Sequence, residues 1–116
     1  MGKVPGLQMK EGDTDQRWFS RKPDRSKVIM DGSSQKNQGY EIQKIEIRQY
    51  IERSDDRLGD YSLLTVVVET DKGKVEMKYD EGFRGPEALE FAVLILTQHV
   101  GLASLINRAL IELQRQ

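Results

Sequence analysis

The chain has 116 residues, no cysteine, 32% charged and 37% hydrophobic residues, and a formal net charge of -1. That length allows one domain, and the lack of cysteine excludes disulfides, thiolate catalysis and thiolate metal sites, which fits the cytoplasm or another reducing intracellular compartment. Its longest apolar stretch, around residues 93–96, is far short of the roughly 20 residues of a membrane span, and no apolar leader follows Met1, so a soluble, unsecreted protein with no membrane partner is expected.

Splitting the chain before Tyr40 exposes two different compositions. Residues 1–39 are about 23% apolar and carry eight cations against five anions, whereas residues 40–116 are about 44% apolar and hold a net charge of about -4. So polar a segment cannot offset the roughly 1 to 2 kcal/mol of backbone entropy lost per ordered residue. Residues 1–39 are therefore expected to be a basic, mostly flexible N-terminal arm, with a short edge strand at 27–31 around Val28-Ile29-Met30. Residues 40–116 are expected to form a single globular α+β domain.

From Tyr40 the period is two. Ile45, Ile47 and Ile51 share one face and Glu46, Arg48 and Glu52 the other, while Tyr40 and Ile42 have the opposite parity, which predicts a bulge near Gln43-Lys44. The polar composition of residues 53–60 predicts a turn. Leu63, Leu64, Val66, Val67 and Val68 then place apolar groups on both parities, as a central strand requires. Asp71-Lys72-Gly73 suits a short hairpin, with glycine supplying the positive φ, and Val75, Met77 and Tyr79 alternate inward against Lys74, Glu76 and Lys78 outward. Pro86 and Glu87 mark a helix start, after which Leu89 to Leu96 is apolar nearly all round. Beyond Gly101 an amphipathic stripe of Leu102, Leu105, Ile106, Ala109, Leu110 and Leu113 continues. The expected fold is an antiparallel three- to four-stranded meander followed by one long or two consecutive C-terminal helices, with a largely disordered N-terminal arm.

No catalytic, cofactor or metal site is assigned from these residues. His99 lacks a carboxylate at helical spacing, since Glu87 and Glu90 lie 12 and 9 residues away, and it reads as a helix-surface histidine. Asp55, Asp56 and Asp60 lack calcium-loop spacing and have Arg53 and Arg57 among them. The Gly82-Phe83-Arg84-Gly85 loop has neither the Walker lysine nor dinucleotide-loop spacing, and its glycines read as structural. No Gly-x-Ser-x-Gly elbow is present.

Two features point to binding. Arg17, Trp18, Phe19, Arg21, Lys22, Arg25 and Lys27 combine cations with the only tryptophan. Such a stretch suits a partner protein, with the rings as anchors, or single-stranded RNA or DNA, with cations on phosphates and rings on bases. It also suits a cover for the sheet. Surplus apolar surface at Phe91, Leu94, Ile95, Leu102 and Leu105 calls for a second copy, unless the helices pack as a hairpin and hide it. The leading expectation is a non-enzymatic protein-interaction or regulatory module that forms a homodimer and uses no cofactor. A single-strand nucleic-acid binder is the alternative, ranked second because the folded part is acidic.

Overall fold

The alternation from Tyr40 onward is realised as three long antiparallel strands, β4 (Tyr40–Glu52), β5 (Tyr61–Thr70) and β6 (Gly73–Tyr79). The computed structural model describes residues 7–8, 22–32, 36–52, 61–79 and 87–115. On the far side of β4 lies β2 (Arg25–Asp31), and on the far side of β6 the two-residue β1 (Leu7–Gln8), giving the order β1-β6-β5-β4-β2. A further two-residue strand, β3 (Lys36–Asn37), pairs with the start of β4. The expected edge strand is thus present and longer, and it draws residues ahead of Tyr40 into the sheet. Backbone bonds continue past its ends, from Asp24 N to Gln49 O at 2.9 Å and from Gly32 N to Gln43 O at 3.0 Å. The expected flexibility of the rest of the arm concerns residues 1–6, 9–21 and 33–35, which lie outside the described residues.

As the two-sided apolar pattern requires, β5 is the central strand, and Leu63, Leu64, Val66, Val67 and Val68 are all buried. The parity switch in β4 is a bulge: Ile42 opposes Thr70 and Lys44 opposes Glu69, so Gln43 is the extra residue and Ile42 joins Ile45 and Ile47 in one core. The β5-β6 hairpin turns over Asp71-Lys72, with Gly73 at φ 142 and the Thr70 hydroxyl donating to Gly73 O at 2.8 Å. A second hairpin, not anticipated, turns over Gln38 (φ 52) and Gly39 (φ 85), the two consecutive positive values that a tight hairpin turn demands.

After the sheet come helix α1 (Ala88–Leu94), a π-helical segment (Ile95–Val100) and helix α2 (Leu102–Gln114). The described helix begins with Glu87 at its N-cap; Pro86 lies outside the described residues. The choice between one helix and two falls to two, bent by 97° at Gly101. Both lie on the face carrying Ile45, Ile47, Leu64, Val66, Val68, Val75 and Met77, and they meet it with Ala88, Leu89, Ala92, Leu96, Leu105, Ala109 and Leu110. Burying a leucine of this kind contributes roughly 1.5 to 3 kcal/mol, so the shared core holds both helices to the sheet. A bond from Gln38 Nε2 to Asn107 Oδ1 at 3.1 Å ties α2 to the β3-β4 turn. Among the described residues no single helix is long and apolar enough to cross a membrane; the two together pass on length and composition only, across the bend.

Candidate functional site

The sheet face away from the helices is where the structure departs most from the simple alternation. Register places Glu46, Val67 and Glu76 in one row across β4, β5 and β6, and Arg48, Thr65 and Lys78 in the next. Arg48 Nε donates to Glu46 Oε1 at 2.7 Å, and its Nη1 reaches Glu76 Oε1 at 3.4 Å. The other Glu76 oxygen accepts from Thr65 Oγ1 at 2.6 Å and from the Tyr50 hydroxyl at 3.0 Å. Glu46 and Glu76, expected on an outward polar face, are each only 9% exposed, and Tyr50 is fully buried. The face assignment is therefore correct and the solvation is not: the carboxylates exchange water for a guanidinium and two hydroxyls.

Burial is the main cause that holds the Tyr50 phenol proton above its usual range, and the Glu76 charge adds to it. For Arg48 burial works against the charged form. Its bonds to Glu46 and Tyr50 and the two carboxylate charges outweigh that, and the guanidinium pKa is raised. The arrangement is a closed set of donors and acceptors. Glu76 alone takes three donors, and Arg48 spans both carboxylates, which ties three strands together more than it aims a group outward. At one corner, Lys44 Nζ lies 3.8 Å from Glu69 Oε2.

On the helix side the five residues expected to associate are divided by the fold. Phe91 is 52% and Leu94 44% exposed, both on α1. Ile95 and Leu102 are half-buried and pack against the core. Leu105 is a correction: at 0% exposure it is a core residue of α2, because the bend at Gly101 turns its side of the helix onto the sheet. Of the basic-aromatic stretch, Arg25 and Lys27 are exposed on the edge strand β2, and Lys22 is exposed ahead of it. Arg17, Trp18, Phe19 and Arg21 lie outside the described residues. Arg25 Nη2 meets both Glu90 oxygens, at 2.5 and 3.1 Å, and this hydrogen bond holds the Glu90 carboxyl below its ordinary pKa. The pair links β2 to α1 from the exposed rim. His99 is exposed at the end of the π segment, and among the described residues no three metal-ligating side chains gather.

The Glu46-Arg48-Tyr50-Thr65-Glu76 set was absent from the sequence-level candidates. Positions 46, 48 and 50 share a face by period, but Glu76 joins them only through the β4-β5-β6 register. Compared with known proteins, no family model, curated protein or solved structure matches the chain.

Proposed function

We propose that this chain is a non-enzymatic protein-interaction or regulatory module that pairs with a second copy through the outer face of α1. Its basic-aromatic stretch around Trp18 engages a partner protein, in the cytoplasm or another reducing compartment. The observation that carries this reading is the exposure of Leu94, with Phe91 one turn before it, on a helix whose opposite side is locked into the core by Ala88, Leu89 and Ala92, followed by Leu96 of the π segment. Apolar groups presented to water on a rigid element release about 25 cal/mol per Å² when covered, and no ordering entropy is needed to present them.

A second copy suits this face as its occupant because it presents the same exposed Phe91 and Leu94, so a two-fold contact about Leu94 covers both copies at once. The polar set on the opposite sheet face supports binding over catalysis, since its members spend their hydrogen-bonding capacity on one another.

Sedimentation equilibrium tests the reading. At concentrations on the order of tens of micromolar the protein is expected to be a dimer, and Leu94→Glu a monomer with unchanged circular dichroism. A wild-type monomer over that range overturns it. The second reading, a single-strand nucleic-acid binder, draws on exposed Lys27 on the edge strand and exposed Lys22 ahead of it. Its mark is binding that falls steeply with salt and again with Trp18→Ala.

A further inference from the structure

Between the π segment and α2 the entire change of direction is made by one residue. Gly101 sits at φ 87, ψ 146, a combination that is essentially confined to glycine. Its N–H donates to Leu96 O at 3.0 Å, closing the last π turn, and its carbonyl accepts from Leu105 N at 3.2 Å, opening α2. A Cβ built there meets nothing within 4 Å. The requirement for glycine is therefore backbone conformation alone, with no packing contact behind it.

Both neighbours are helical right up to this residue, so rotation of Gly101 into the right-handed helical region joins Ala88–Val100 and Leu102–Gln114 into one rod. That rod carries α2 off its own sheet and uncovers Leu105, Ala109 and Leu110 together with Val75 and Met77 beneath the helix layer. Such an opened chain is unstable alone. Two of them are not, because each sheet can accept the other's α2 and every closed contact re-forms between chains, with only the hinge changed.

We infer that Gly101 is the hinge that decides whether α2 packs on its own sheet or on that of a second copy, and that the closed form depends on glycine's access to positive φ. The partner is a copy of this chain and the exchanged element is α2. This inference is independent of the α1-face association proposed above, and its test separates the two.

A side chain at Gly101 acts on both states. Alanine is excluded from the closed backbone conformation, and in the straight rod it favours helix over glycine by about fivefold per chain. Gly101→Ala is therefore expected to be dimeric at concentrations where the parent chain with Leu94→Glu is monomeric, and to stay dimeric when Leu94→Glu is added.

Because the chain has no cysteine, single thiols can be placed freely. Gln38 and Asn107, hydrogen-bonded in the closed form, bridge the β3-β4 turn and α2. One chain carrying Gln38→Cys and another carrying Asn107→Cys, both with Gly101→Ala, are unfolded, mixed, refolded and treated with a short thiol-thiol cross-linker. A covalent product of one chain of each kind is expected, since exchange puts residue 107 of one beside residue 38 of the other. A dimer without that product overturns the hinge and leaves α1-face association standing. The product, obtained with a parent chain that is monomeric even without Leu94→Glu, supports the hinge and overturns the α1-face association. Should Gly101→Ala fail to fold, the same two chains with Gly101 retained are refolded together at rising concentration: a mixed product that grows with concentration supports the hinge, and none at any concentration overturns it.

Discussion

Replacing Glu76 by alanine removes the acceptor on which three strands converge, and the expected cost can be worked out bond by bond. Glu76 Oε2 loses Thr65 Oγ1 at 2.6 Å and the Tyr50 hydroxyl at 3.0 Å, two short bonds to a charged acceptor. Each bond of this kind contributes about 1.5 kcal/mol net, while the 3.4 Å approach of Arg48 Nη1 adds little. Both hydroxyls are then left in a site where Tyr50 is fully buried, and Arg48 keeps Glu46 as its carboxylate in this cluster. We expect Glu76→Ala to cost about 3 kcal/mol, at the lower edge of what breaking a buried ion pair costs. Urea unfolding followed by far-ultraviolet circular dichroism reads this directly, as a fall in midpoint of about 2 M for a slope of about 1.5 kcal/mol/M. Glu76→Gln, which keeps the shape and one acceptor oxygen, is expected to lose about half as much. Combining Glu76→Ala with Thr65→Val should recover about 1 kcal/mol of coupling in a double-mutant cycle. A Glu76→Ala protein within about 0.5 kcal/mol of wild type refutes the reasoning, because an exposed carboxylate would behave that way.

The raised Tyr50 pKa carries a sign. The folded state holds the phenol proton more tightly than the unfolded chain, so the stability it confers is complete below about pH 10 and is lost as pH rises from there through the folded value. Tyr50→Phe should therefore flatten the alkaline fall in urea midpoint, and a slope equal to wild type counts against the buried phenol. In the core, Leu110 of α2 is fully buried against the sheet, and Leu110→Ala is expected to cost about 2 to 5 kcal/mol, read by the same urea titration. A loss below about 1 kcal/mol there shows that α2 does not seal the sheet.

Where the sequence was legible, the signals were local. Period two in residues 40–52 and 74–79, apolar groups on both parities in 63–68, and the Asp71-Lys72-Gly73 turn each depend on near neighbours, and strand positions, the central place of β5 and the Gln43 bulge follow from them. The β3 strand escaped because two residues offer no period, though Gln38-Gly39 ahead of a strand was a usable turn signal. Leu105 was misjudged for a different reason. A helical stripe shows that a side must be covered, not which surface covers it, and the 97° turn at Gly101 decided that.

The chain's local chemistry by itself determined an antiparallel sheet followed by helices and the inward faces of β4 and β6. Tertiary structure alone decided that Glu76 meets Arg48 across 28 residues and that Glu46 and Glu76 lie buried on the face opposite the helices. It also divided Phe91 and Leu94 at the surface from Leu105 in the core. The physical reason is the same in each case. Side-chain direction is set by neighbours along the chain, whereas burial and hydrogen-bond partners are set by register and crossing angle, which are settled only when distant segments compete for the same surface.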